Sequence, residues 1–205
     1  MKPSTGPLFD REWRRTCRVE PCSIRDIDGF IRAHYLAKRP AIILLAMVMM
    51  RDDTPLGCIV YSAPPRECDK RYGGKTWELA RLYILDDVPQ NAETWLISQS
   101  VKWIKRNRAE VCNLVSYADP SVGHSGTIYR AANWREDGRT DDDRKTPRCD
   151  YYDARTGKKY GRRAHMPVDA VVERRPRVSK HRFTLAIRKP SDEFSHEVRD
   201  GWQVK

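Results

Sequence analysis

Two side chains ten residues apart, Asp119 and Tyr129, mark the part of this sequence best suited to chemistry. They belong to VSYADPSVGHSGTIYRAANW, residues 115–134. An apolar run breaks at Asp119-Pro120, crosses a loop holding Gly123 and Gly126, and re-enters a short helical pattern over 127–133. A carboxylate at the C-terminal end of a strand lies where open α/β sheets place ligands. A tyrosine in the next element can face the same cleft from the other side of the loop. The plainer alternative is a turn-forming Asp-Pro and a core tyrosine. Arg81 is the third candidate, set among apolar neighbours in WELARLYIL, residues 77–85. A buried guanidinium is costly unless it meets a carboxylate, a phosphate or a carbonyl. A structural ion pair with Glu78 and a ligand contact are both open. His34 and Tyr35 complete the set, either to stack on or hydrogen-bond a ligand, or as a capping histidine and a packed tyrosine.

Positioning these groups requires an alternation of strands and helices. Residues 1–22 read as a tail or edge segment. Ser23 is placed to cap a helix whose Ile24, Ile27, Phe30 and Ile31 recur at helical spacing, ending near His34 and Tyr35. Residues 41–50 and 56–61 read as strands around a turn at 51–55, and 62–74 as a loop. The third strand is 77–85. Asn91 is a cap candidate for a helix reaching Asn107, with Leu96, Ile97, Val101 and Ile104 on its apolar face. Residues 111–117 form the next strand. The strands at 77–85 and 111–117 are expected side by side and splayed near Asp119.

At 205 residues the chain can bury a substantial core, and its formal net charge of +11 favours polyanionic partners. Six cysteines occur with no CxxC pair, so neither a zinc knuckle nor a disulfide framework is legible. No apolar leader precedes the core, and the longest apolar run is half of a membrane span, so a cytoplasmic setting without a membrane partner is expected. The charge concentrates late. From Arg155 to Arg188 there are eleven lysines and arginines against two acids. Lys158, Lys159, Arg162, Arg163, Arg174, Arg175, Arg177, Lys180 and Arg182 interleave with Tyr160, His165, His181 and Phe183. Cations mixed with aromatics suit phosphate contact and base stacking; a solvated face is the alternative. Residues 182–188 alternate like a closing strand.

The segment SYADPSVGHSGTIYRAANW resembles the Mom proteins of Mu-like bacteriophages, and Ala33-His34-Tyr35 and Glu78-Leu79-Ala80-Arg81-Leu82 extend the likeness. That family is a distant branch of the GNAT acyltransferases and converts adenine in DNA to N6-carbamoylmethyladenine. The resemblance implies an α+β fold, a GNAT-like mixed, mainly antiparallel sheet flanked by helices. It divides the chain into a segment at 1–22, a catalytic core at 23–134 and a basic, DNA-contacting extension at 135–205. It implies double-stranded DNA as partner, with the adenine flipped out, in the host cell of a phage or prophage, and it is compatible with a homodimer. Asp119 would take or relay the amine proton, Tyr129 would protonate the leaving group, and Arg81 would orient the donor. His34 and Tyr35 would complete the pocket, with Ser116, Tyr117, His124 and Ser125 as substrate contacts.

Two features set the chain apart from ordinary GNAT enzymes. Those hold the coenzyme A pyrophosphate on a glycine-rich loop, whereas residues 88–93 here contain no glycine and add Glu93, which argues against acetyl-coenzyme A. Acyl transfer also joins a carbonyl carbon to nitrogen, whereas carbamoylmethyl is joined through a methylene. The donor is therefore open. The resemblance brings iron into view, with His34, Asp119 and a tyrosinate as hard ligands, although no spacing demands a metal.

Overall fold

The computed structural model describes residues 13–188 except 143, 147, 161–166 and 170. Arg162 and Arg163 lie outside the described residues. Seven strands form one sheet and three more form a small second sheet. In chain order the first elements are α1 (Trp13–Thr16), β1 (Cys17–Pro21), α2 (Asp28–Ala33), β2 (Ile43–Arg51) and β3 (Thr54–Ser62). There follow α3 (Arg66–Arg71), β4 (Thr76–Ile84), α4 (Ala92–Asn107), β5 (Asn113–Ala118) and α5 (Thr127–Ala131). The chain continues through β6 (Arg135–Arg139), β7 (Cys149–Asp153), β8 (Lys159–Tyr160), β9 (Val172–Pro176) and β10 (His181–Ala186). The large sheet runs β1-β2-β3-β4-β5-β10-β6, and the small one β8-β7-β9.

Period-two patterning builds the core on both faces of the large sheet. Met47, Met49, Ile59 and Tyr61 meet Leu96, Ile97 and Ile104 of α4 on one side. Ala46, Val48, Cys58 and Val60 meet Ile27 and Ile31, at and within α2, on the other. The buried Tyr61 hydroxyl lies 2.8 Å from Ser100 Oγ, which donates to the Ile97 carbonyl, so neither polar group is stranded.

Every neighbouring pair in the large sheet is antiparallel except β4 and β5. These two run parallel and pair only at Thr76↔Asn113, Trp77↔Leu114 and Glu78↔Val115. Beyond Glu78 they part, as the sequence led us to expect, while β10 pairs with β5 along its whole length. A second irregularity lies where β3 meets β4. The register steps from Val60↔Arg81 to Tyr61↔Leu79, leaving Ala80 as an extra residue. Residues three apart normally face opposite sides of a strand; the extra residue turns Glu78 and Arg81 to the same side.

Several local expectations change. The first helix is shorter than its apolar spacing suggested, because residues 24–27 are turns tied by Ser23 N–H to Asp26 Oδ2. Residues 62–74 contain α3, which opens after Pro65 and buries Cys68. Asn91 gives α4 no side-chain cap; it takes a left-handed φ of +67°. The sheet also runs across the boundary expected at Trp134, since β6 and β10 belong to it, as does β1 at the other edge. Among the described residues no helix is long and apolar enough to cross a membrane.

Candidate active site

The parting of β4 and β5 opens two adjoining cavities. The smaller, about 150 Å³, is lined by Glu78 and Arg81 from β4, His34 and Tyr35 from the loop after α2, and His124, Tyr129 and Lys180. The larger, about 370 Å³, lies between Leu82–Ile84 and Tyr117–Ala118 and reaches Glu93, Ser125 and Gly126. Tyr117, His124 and Tyr129 line both, so a group in one cavity can reach a group in the other.

Arg81 meets a carbonyl, one of the three partners its burial demanded. Its Nε and Nη2 donate to the Lys38 carbonyl at 2.9 and 2.8 Å. This fork ties the loop after α2 to the sheet and so holds His34 and Tyr35 over the cavity. Tyr35 rests on His34, 4.5 Å between ring centroids, and meets His124 edge-on at 4.9 Å. The Leu36 N–H donates to His34 Nδ1 at 3.1 Å. Burial, then the charge of Arg81 and the neighbouring His124, lower the His34 pKa to about 4. The ring is neutral near pH 7, with its proton on Nε2. Burial raises the Tyr35 pKa, as the nearby Asp119 does, against the pull of Lys180 and Arg81.

Tyr129 is almost fully buried, and burial raises its pKa to about 12. Its hydroxyl lies 2.7 Å from Ser116 Oγ, which in turn lies 2.8 Å from the Leu79 carbonyl oxygen. The serine has a single proton for these two oxygens. When that proton goes to Leu79, Tyr129 can donate to Ser116; when it goes to Tyr129, the tyrosine proton is free to turn into the cleft. Ser116 thus supports the tyrosine from within the core, and Ser125 pairs with Thr127 at 2.9 Å beside the larger cavity.

Asp119 follows the last residue of β5, at the strand end the sequence suggested, but its carboxylate is committed to neighbours. It lines neither cavity. Its Oδ1 accepts from the Ser121 N–H and hydroxyl at 3.0 and 2.5 Å, capping the turn, and its Oδ2 pairs with Lys180 Nζ at 2.9 Å. Partial burial raises its pKa, but Ser121 and Lys180 outweigh this and hold it below the ordinary value. Asp119 therefore fixes Lys180 in the cleft wall. The acid that does line the cavity is Glu78, which sequence reading treated only as a partner for Arg81. Burial raises its pKa, opposed by the charges of Arg81 and Lys180.

Other assignments move too. Arg182, expected on DNA, is 7% exposed, with Nε 3.5 Å from Asp137 Oδ2 and Nη1 donating to the Arg139 carbonyl. Its side chain lies along β6, the strand that carries both partners. Lys158, Lys159, Arg174 and Arg175 are exposed on the small sheet, and Arg177 follows it. The donor set does not fit iron. Asp119 is committed to Ser121 and Lys180, His34 Nδ1 to Leu36, and no three His, Cys, Asp or Glu side chains converge among the described residues.

A mainly antiparallel sheet whose one parallel pair splays over a cavity defines the GNAT fold. The acetyltransferase of Bacillus subtilis, solved in complex with CoA, matches with a TM-score of 0.53 at 10% identity, over 83% of this chain and 98% of its own. The IAA acetyltransferase of Bacillus cereus matches at 0.51 and 12%, over 83% and 99%. The ribosomal-protein-S18-alanine N-acetyltransferase of Escherichia coli matches at 0.50 and 10%, over 86% and 97%. At such identities the likeness is one of fold. Sequence supplies the narrower placement: the profile of the Mom protein family matches residues 17–198, and the chain belongs to that family. The methylcarbamoylase mom of Escherichia phage Mu is 37% identical over 57 residues, which span 28% of this chain and 24% of that protein.

Proposed function

We propose that the protein is a phage-type DNA-modifying transferase that places a carbamoylmethyl group on N6 of adenine in double-stranded DNA, protecting it from restriction nucleases in the host cytoplasm. The observation that carries this reading is the meeting of Glu78, Arg81, Tyr35, His124 and Tyr129 around one cavity at the foot of the parted strands. The adenine must leave the stack to reach it. Tyr35 and His124 offer ring faces and edges to receive the base, and the Arg81 fork holds Tyr35 in place.

The N6 lone pair is delocalised into the ring, so the attack needs alignment and removal of a proton. As N6 bonds to the donor's methylene carbon, the bond from that carbon to the leaving group breaks, and its electron pair departs with the leaving group. Glu78 takes the N6 proton; burial raises its pKa and so strengthens it as a base relative to an exposed carboxylate, while the charges of Arg81 and Lys180 favour its ionised form. Tyr129, backed by Ser116, supplies a proton to the leaving group. The larger cavity between β4 and β5 holds the donor. No step passes through iron, because the donor set does not fit it.

Mass spectrometry of nucleosides from the DNA of cells expressing the protein tests the reading. Modified adenine should appear with the natural sequence and fall steeply with Glu78→Gln. A GNAT acyltransferase acting on a small amine or a protein, which the fold alone favours, would leave the nucleosides unchanged.

A further inference from the structure

The small sheet carries a third cavity, of about 370 Å³, whose walls include Arg144, Arg148 and Arg177 together with Cys149, Tyr151 and Tyr160. Asp150 is the one acid in the same lining, so the three guanidinium groups leave the hollow with an excess of positive charge. Asp150, which is buried, and Asp141, which is partly buried, pair with them. Asp141 accepts from Arg148 Nε at 2.5 Å, with Arg144 at 4.0 Å, and Asp150 accepts from Arg177 Nε at 2.9 Å. The aspartates hold the arginines in place without using up their donors, since each guanidinium has five N–H groups. Register places Tyr151 opposite both Tyr160 and Arg174, so all three share one face of the sheet. The Arg174 guanidinium lies 5.9 Å from the Tyr151 ring centroid, on the face where the cavity opens.

This face is joined to the cleft. Asp141 also accepts from Ser179 Oγ at 3.0 Å, and the segment leaving β9 next supplies Lys180, which lines the cleft and pairs with Asp119. Arginines at the small sheet and a lysine at the cleft are thus connected through a few residues of backbone. We infer that the hollow edged by Arg144, Arg148 and Arg177, with Arg174 beside it, seats the phosphodiester backbone of the DNA duplex, while Lys180 stands by the phosphate of the extruded nucleotide. The inference rests on the DNA-directed reading above. Aromatic rings beside the cations suit the sugar and base edges that accompany each phosphate.

The test is binding of a fluorescein-labelled duplex to the full-length protein, by anisotropy across a salt series. In Arg144→Gln/Arg174→Gln the pairs of Asp141 with Arg148 and of Asp150 with Arg177 remain. Each lost phosphate contact should lower the log–log salt slope by roughly 0.9 and weaken binding about 5-fold at physiological salt, so ~25-fold for both. Arg174→Gln alone should give about 5-fold and guards against misfolding of the pair. Lys102→Gln/Arg106→Gln, exposed on α4 and equal in charge change, should bind as the natural protein does. Unchanged affinity and slope in the first variant, or equal losses in the control, overturn the inference. So does coenzyme A binding, by calorimetry, that the first variant abolishes while duplex affinity stays intact; the hollow would then serve a nucleotide donor. Failure to find modified adenine would count against the proposed reaction and leave the binding result to stand separately.

Discussion

Replacing Gly126 with alanine probes the packing that seats Tyr129. Gly126 has φ +83° just before α5, and a Cβ there would lie 2.2 Å from two ring carbons of Phe183. That ring is fully buried, with Tyr129 5.1 Å away between centroids and the Arg130 guanidinium 5.3 Å from its centroid, so it has nowhere to swing. A left-handed backbone costs a residue with a Cβ about 1–2 kcal/mol. Forcing a methyl into a packed core adds about 1–3 kcal/mol. Gly126→Ala should therefore lose roughly 2–5 kcal/mol, or about 4–20 °C in Tm for a chain of this size. Gly123 provides the internal comparison, for its φ is +78° but nothing lies within 4 Å of its added Cβ. Gly123→Ala should lose only the backbone term, about 1–2 kcal/mol. Urea unfolding of both variants, repeated with Phe183→Leu, completes the measurement. The smaller side chain should relieve Gly126→Ala by about 1 kcal/mol or more and leave Gly123→Ala unchanged. Equal losses at the two glycines would refute the reasoning. Yield of modified adenine should track the clash, since α5 carries Tyr129.

Glu78→Gln should reduce modification by about 10²–10⁴-fold at neutral pH, with duplex affinity and melting temperature little changed; normal modification would return the proton to another group. Arg81→Ala should release the Lys38 carbonyl and raise the His34 pKa from about 4 toward its ordinary 6.5, read by NMR titration of the ring. The sign follows from linkage. Between those two values the unfolded chain binds the extra proton, so the His34 contribution to stability is present above 6.5 and is lost as pH falls toward 4. A His34 that still titrates near 4 in the variant would show that the fork does not order the loop. Coenzyme A should bind weakly by calorimetry, because the loop before α4 lacks glycine and Glu93 sits in that helix's first turn; micromolar affinity, lost on changing that loop, would reverse this.

The strands at 77–85 and 111–117, their splay and the cluster around Tyr129 were legible because each leaves a local pattern of apolar residues, proline and glycine. The role of Asp119 was not, since its partner Lys180 arrives far along the chain on the segment leading into β10. Glu78 was hidden by geometry. Residues three apart on a strand should face opposite sides, and only the extra residue at Ala80 brings Glu78 beside Arg81. Arg182 misled for the opposite reason. RFTLAIR alternates like a strand, yet Arg182 and Phe183, neighbours that face opposite sides of β10, are both buried. The helix at 66–71 looked like a loop because charge and proline dominate its composition.

The place of β10 sets the order in which the protein can become active. It occupies the outer edge of β5, yet it is synthesised only after β6 and the whole small sheet. Until then a nascent chain presents β5 with unpaired N–H and C=O groups, and Lys180 has not reached Asp119. The cleft wall is finished by the last of the described strands. A chain interrupted before His181 would retain the β4–β5 pair and most of the site residues but not the strand that holds them in register. Translation thus delays a complete cleft until β10 has been made.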